Sequence, residues 1–184
     1  MDTRAELTRT GAVLIQNKIF ADERGYFTEM YVAEKFQELY DSVTDFYPPS
    51  FVQDNLSFSK KNVVRGMHFQ KKKPQGKLVR VINGKILDVI VDLRRDSKTF
   101  GCMESFELTP YGQSIYVPEG FAHGFWSLSE NAIVHYKCTT MYDKSDEDGL
   151  NPTDKSMKYP WINELDSIVI SEKDKSYKGW KEYV

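Results

Sequence analysis

The chain is poor in cysteine, with two residues, Cys102 and Cys138, among 184. Two thiols without a CxxC spacing exclude a disulfide framework and a zinc knuckle and suit a reducing compartment, so both read as packing residues. An excess of one charge is also missing. Lys and Arg number 25 against 27 Asp and Glu, a formal charge of -2. That balance excludes a general basic surface for nucleic acid or an anionic membrane, and any phosphate site has to be local. No apolar run approaches a membrane span, and the opening MDTRAELTRTGAVLIQ scatters charge where a secretion signal would be apolar. A cytoplasmic protein with neither nucleic-acid nor membrane partners is expected. Repeats and low-complexity tracts are absent as well.

What is present suits strands. At 184 residues one domain over 1–184 can bury a core without disulfides or metals. Aromatics make up 14% of the chain, with 11 Tyr and 11 Phe, residue types that cover pleated surfaces. Short apolar runs bounded by Gly, Pro, Asn or Asp read as strands: Ala12 to Ile15, Phe51 to Val52, Leu78 to Ile82, Ile86 to Leu93, Ser114 to Val117 and Ile133 to Cys138. LVRVINGKILDVIVDL predicts a hairpin turning at Asn83-Gly84, because that dipeptide tolerates positive φ. Val32, Phe36, Leu39 and Val43 recur at helical spacing, which predicts one short helix over 31–43. After Tyr142 the text turns charged and turn-rich, a long loop followed by a tail laid over the body. An all-β sandwich or a double-sheet jelly roll fits, and periodicity does not choose between them.

GQSIYVPEGFAHGFWS, from Gly112 to Ser127, resembles the second cupin motif, with Ser127 where the pattern has Asn. Pro118 and Gly120 supply a turn, and His123 follows at the start of the next strand, aimed into the barrel. Read alone, His123 is as well explained as a hydrogen-bonded interior histidine. The first cupin motif would supply two histidines and a carboxylate as metal ligands; here those positions hold His68, Gln70 and Gln75. Neutral amides are weak ligands for a transition metal, so a barrel without a metal site is expected. His68 is then available as a proton-transfer base. Arg65, Lys77 and Arg80 stand near it in sequence, an anion pocket if they point inward and a solvated face if they do not.

FADERGYFTE (20–29), FVQDNLSFSKKNVVRGMHFQ (51–70), QGKLVRVINGKILDVIVDLRRDSKTFG (75–101), VPEGFAHGF (117–125), YKCTTMY (136–142) and SEKD (171–174) closely resemble the dTDP-4-dehydrorhamnose 3,5-epimerases of the cupin superfamily. The likeness runs through nearly the whole chain in the family's order. It implies a cupin double-sheet jelly-roll barrel with short flanking helices, and a cofactor-free homodimer acting on a nucleotide-linked 4-keto-6-deoxy sugar. Both C3 and C5 flank the C4 ketone, so loss of either proton gives an enolate. Carried over by motif, His68 is the base, Asp174 its partner, Tyr136 the acid on the opposite face and Lys77 the stabiliser of the enolate. Phe20, Arg24, Glu29, Gln53, Asn55, Arg65, His123 and Tyr142 are implied nucleotide or substrate contacts, some of them reaching a partner subunit.

The sequence departs from the family at Met141, where a tyrosine is usual, and in LNPTDKSMKYP, where Leu150, Pro152 and Tyr159 replace Trp, Asp and Trp. The catalytic set is intact, and these departures stand where a change of substrate could be made. Three readings stay open beside the 3,5-epimerase: inversion at C3 only, action on another nucleotide 4-keto sugar such as a GDP-linked 6-deoxyheptose, and a non-catalytic sugar-nucleotide-binding cupin. A metal-dependent cupin oxygenase is disfavoured by Gln70 and Gln75.

Overall fold

The structure is a computed structural model that describes residues 2–184. One sheet runs in the order β1 (Arg4–Leu7), β2 (Val13–Gln16), β10 (Gln113–Val117), β7 (Lys77–Asn83), β12 (Asn131–Cys138) and β5 (Gln53–Lys60). The second runs β13 (Glu147–Gly149), β6 (Val64–Gln70), β11 (Phe121–Ser127), β8 (Ile86–Asp92) and β9 (Met103–Leu108). From β5 to β12 the chain repeatedly changes sheet, and the strand pairs are antiparallel. That alternation is a double-sheet jelly roll, which settles the choice that periodicity left open.

The hairpin expected at Asn83-Gly84 does not form, because β7 and β8 belong to different sheets. Gly84 does adopt a positive φ of 80°, but the turn is a corner from one sheet to the other. It packs beside the returning corner between β11 and β12: Lys85 N–H donates to Ser129 Oγ at 2.8 Å and Asn83 Nδ2 donates to Asn131 O at 2.6 Å. A Cβ at residue 84 would lie 2.3 Å from Ser129 Oγ, so the close approach requires glycine. Both strands are buried along most of their length. Each takes two other neighbours, β10 and β12 for β7, and β11 and β9 for β8. Asn-Gly specifies the local conformation and leaves the pairing partners to the core.

Alternation along the strands sorts side chains into three clusters. Val79, Val81, Ile86, Ile90, Ile115, Val117, Phe121 and Phe125 are among those filling the space between the sheets. Outside the first sheet, α1 (Ala33–Asp41) buries Phe36 and Tyr40, one turn apart, against Leu78 and Tyr116, each such burial worth about 1.5–3 kcal/mol. This helix is the core of the one expected over 31–43. Outside the second sheet the tail is laid down as predicted. Leu150, Tyr159, Trp161 and Ile170 are buried against Val64, Met67 and Val91. Beyond them lie α2 (Glu172–Lys175) and α3 (Trp180–Tyr183). Among the described residues no helix is long and apolar enough to cross a membrane.

One strand is inside out. Phe51 and Val52, read as a strand, only lead into β5, where Leu56 and Phe58 are 69% and 53% exposed. Polar Gln53, Asn55, Ser57 and Ser59 take the less exposed alternate positions, which tells where the barrel interior turns polar.

Candidate active site

The polar end of the barrel interior is assembled from both sheets. On β6, Arg65 and His68 are three residues apart and would face opposite ways on a regular strand. The register between β6 and β11 shifts between His123 and Phe125, and this irregularity brings both side chains to one cavity. It depends on two glycines: a Cβ at Gly66 would lie 2.5 Å from Gly124 Cα, and one at Gly124 would lie 2.5 Å from Arg65 O. His123 sits directly opposite His68 across this pairing.

Asp174 arrives from the far end of the chain. Ser171 caps α2 by accepting from the Asp174 N–H at 3.1 Å, the N-cap role for which serine is favoured. The Asp174 carboxylate is left to bind His68 Nε2 at 2.8 Å and the Gly66 N–H at 3.3 Å. Burial acts to raise the Asp174 pKa; the hydrogen bond and charge of His68, the Gly66 N–H and Ser171 outweigh it and hold the carboxyl below its usual 3.8. An ionised carboxylate can only accept, so Nε2 carries the proton and the lone pair of the neutral ring is on Nδ1.

On the opposite sheet, Lys77 of β7 is 8% exposed and its Nζ donates to His68 O at 3.5 Å. Burial pulls the lysine pKa below 10.5 against the opposing pull of Cys138, Asp88 and Glu147. Tyr136 of β12 is raised above 10.0, chiefly by burial, so its hydroxyl keeps its proton. Beneath them His123 Nε2 lies 2.8 Å from Asp88 Oδ2, both side chains buried, and Asp88 Oδ1 has no partner. Arg65 is braced at the mouth by donating to Ser59 Oγ and Phe58 O at 2.9 and 3.0 Å.

Two cavities share His68, Lys77 and Tyr136 in their walls. The larger, about 550 Å³, adds Arg65, His123 and Asp174; the smaller, about 280 Å³, adds Gln53, Asn55, Tyr142 and Glu147. The structure thus gathers nine of the twelve sequence-predicted residues in one continuous cleft. A base with a fixed tautomer on one wall, and an acid and a cation on the other, is an arrangement that can move a proton across a flat carbon centre.

The family profile for dTDP-4-dehydrorhamnose 3,5-epimerase matches residues 6–182. The chain is 45% identical over 174 residues to the dTDP-4-dehydrorhamnose 3,5-epimerase of Methanothermobacter thermautotrophicus, covering 94% of this chain and 91% of that protein. The chain belongs to the dTDP-4-dehydrorhamnose 3,5-epimerase family. Among solved structures of this epimerase family, that from Elizabethkingia anophelis superposes with a TM-score of 0.87 at 39% identity, over 98% of this chain and 97% of that one. The dTDP-6-deoxy-D-glucose-3,5-epimerase of Legionella pneumophila, in complex with dTDP-4-keto-L-rhamnose, gives a TM-score of 0.87 at 36% identity, over 97% and 93%.

Four groups of sequence-predicted residues lie away from the cleft or serve its frame. Phe20 and Arg24 lie on the exposed hairpin of β3 (Phe20–Asp22) and β4 (Gly25–Phe27), where Arg24 pairs with Asp22. Glu29 pairs with Lys35. None of the three lines the cleft of its own chain. Arg80 is no part of an anion pocket around His68. The alternation that turns Lys77 inward turns Arg80 to the outer face, where it donates to Met30 O and burial lowers its pKa to about 10. Gln70 and Gln75 hold backbone: Gln70 Nε2 donates to Lys73 O, its Oε1 accepts from the Asp143 N–H, and Gln75 Nε2 donates to Thr140 O, each at 2.7 Å. Finally, the departures from the family line neither cavity: Met141 is 61% exposed, while Leu150 and Tyr159 are buried beneath the second sheet, the latter stacked on Trp161 at 5.1 Å.

Sequence reasoning missed Asp88, Glu147 and Lys173. Asp88 did carry a signal, a carboxylate inside the apolar run ILDVIVDL, since a charge in a buried strand demands a partner. Glu147 sits in DKSDEDG, where nothing separates it from its acidic neighbours.

Proposed function

We propose that this epimerase inverts C3 and C5 of dTDP-4-dehydro-6-deoxyglucose without a cofactor, in the cytoplasm, within the deoxysugar supply for surface polysaccharide. The observation that carries the reading is the His68–Asp174 pair at 2.8 Å on one wall of a cleft whose other wall holds Lys77 and Tyr136. His68 Nδ1 takes the proton from C3, electrons move into the ring as an enolate, and the Lys77 ammonium stabilises the charge developing on O4. Asp174 stabilises the imidazolium. Tyr136 returns a proton from the opposite face, which inverts the carbon. Exchange of both groups with solvent resets them, and the same steps at C5 complete the reaction. Arg65, His123, Gln53 and Asn55 are the proposed contacts to the nucleotide and sugar.

The working unit is proposed to be a homodimer. Supporting this, Phe20, Tyr26 and Phe27 of the β3–β4 hairpin are 50%, 51% and 64% exposed, and the outer edge of β5 presents Leu56 and Phe58. The hairpin of one copy, with the residues that follow it, then supplies Phe20, Arg24 and Glu29 to the cleft of the other. Proton NMR in deuterated water with dTDP-4-dehydro-6-deoxyglucose tests the reaction. Deuterium is expected at both C3 and C5. Exchange at C3 alone makes the protein a single-centre epimerase, and no exchange with any 4-keto nucleotide sugar overturns the reading.

A further inference from the structure

Lys77 is the first residue of β7 and faces Cys138 across the ladder with β12. The rung beyond it is made half by backbone and half by side chain. The Thr139 N–H donates to Gly76 O at 3.0 Å, while the Gly76 N–H donates to Thr139 Oγ1 at 2.9 Å. The hydroxyl stands where a strand carbonyl would accept in a regular antiparallel pair.

A threonine hydroxyl has one hydrogen to give, and Thr139 gives it to Glu119 Oε1 at 2.5 Å. Glu119 Oε2 accepts from the Tyr116 hydroxyl at 3.1 Å. Tyr116 is buried beneath α1, with Phe36 and Tyr40 edge-on to it at 5.9 and 5.6 Å, and burial raises its pKa, so it stays a donor. This bridge passes over residue 76: a Cβ there would lie 2.6 Å from the Tyr116 hydroxyl oxygen and 2.9 Å from Glu119 Oε1. Glycine lets a carboxylate beyond the end of β10 reach a hydroxyl beyond the end of β12. One carboxylate thereby ties three strand ends, those of β10, β7 and β12. Glu119 belongs to VPEGFAHGF and Gly76 to QGK, yet Glu119 and Thr139 line neither cavity, and the proton transfers proposed above do not use them.

We propose that Glu119 and Thr139 are positioning residues for Lys77: by completing the rung at Gly76 they fix where the lysine leaves the strand, and so where its ammonium meets the developing enolate. This rests on the epimerase reading above. The Lys77 amine sits at the end of a flexible four-carbon stem, and its hydrogen bond to His68 O is long, at 3.5 Å. The backbone therefore sets its place more than that bond does. Misplacing a catalytic charge by about 1 Å costs about 10²-fold.

Variants of the whole chain, carrying isotope-labelled lysine, test this by NMR titration of the Lys77 Cε resonance, assigned with Lys77→Arg. Steady-state kinetics, calorimetric dTDP binding and melting temperature accompany it. The wild-type midpoint is expected below 10.5, because burial lowers it. Thr139→Val removes the hydroxyl and keeps the shape. The loosened amine gains water, its midpoint moves up towards 10.5, and kcat falls about tenfold with KM and dTDP affinity near those of the wild type. Thr139→Ser restores the hydroxyl, the midpoint and kcat. Glu119→Ala matches Thr139→Val, and the double is no worse than either single. Glu119→Gln, which keeps the volume and one acceptor, gives a smaller shift in the same direction. The titratable groups facing Lys77, namely His68, Asp88, Tyr136, Cys138 and Glu147, are unchanged in all of these, so a moved midpoint reports the placement of the lysine itself. A lower melting temperature with midpoint and kcat unmoved makes the network structural and overturns the inference, as do additive losses in the double. A wild-type chain that exchanges no deuterium overturns the epimerase reading and this inference with it. Exchange in the wild type, with a Lys77 midpoint unmoved in both Thr139→Val and Glu119→Gln, overturns this inference alone.

Discussion

Two histidines face each other on β6 and β11, each bound through Nε2 to a carboxylate at 2.8 Å, and the two pairs differ in their surroundings. His68 has 31% of its side chain exposed at the cleft, with a partner brought in by the C-terminal segment; His123 has 8%, with a partner, Asp88, fully buried on the neighbouring strand. The hydrogen bond is the same, so it cannot be what makes a base. Greater exposure at the cleft, a free Nδ1 and the Tyr136 hydroxyl on the opposite wall distinguish His68 and support its proposed role. The inner pair satisfies a buried polar end of the barrel, where an unpartnered carboxylate would be costly.

Removing the outer base tests this contrast most severely. His68→Asn is expected to lower kcat roughly 10³-fold, the middle of the range for general acid–base groups, while calorimetry finds dTDP affinity near that of the wild type. Asp174→Asn keeps the shape but presents the wrong tautomer, and a kcat loss of at least about 10²-fold is expected. Asp88→Asn reverses the balance: about 1–3 kcal/mol of stability in urea unfolding, the cost of disturbing a buried charged hydrogen bond, with a kcat loss smaller than that of Asp174→Asn. If Asp88→Asn proved the more damaging to turnover, the two histidines would have to exchange roles.

The pH dependence sharpens the contrast by smaller amounts. The Asp174 carboxyl is depressed below 3.8 in the folded chain, so it contributes stability above that unfolded value and loses it as pH falls through the folded one. The stability difference between wild type and Asp174→Asn should therefore shrink in urea titrations below about pH 4. On the alkaline side, burial lowers Lys77 and raises Tyr136, and the proposed mechanism needs the proton of each. The alkaline fall in kcat should begin below 10.5 and move upward in Lys77→Arg, read from a rate–pH profile.

The sequence was most legible where one residue's chemistry decided its place. His68, Lys77 and Tyr136 fall in strands whose alternation turns them inward, and SEKD carries both the cap and the carboxylate that completes the base. Pairing was less legible: Asn83-Gly84 announced a turn, yet whether that turn joins neighbours or crosses between sheets depends on residues 129 to 131, distant in sequence. Arg80 and Lys77 looked alike in the text, and strand parity separated them. Phe20, Arg24 and Glu29 matched a motif, and the structure places them away from the cleft of their own chain. The glutamines at 70 and 75 were read as what remains of a metal site, and they turn out to hold the chain at 140 to 143.

Asp174, the proposed partner of the base, stands on a four-residue helix outside the barrel. Short helices docked outside a barrel open locally at lower free energy than a sheet core. On the proposed mechanism, lifting α2 takes Asp174 from His68 and stops the chemistry while the two sheets are still intact. Activity is therefore a reporter on the docking of the tail. Heat or mild denaturant should silence the enzyme before the barrel unfolds, and bound substrate, by holding the cleft, should bring the two events together.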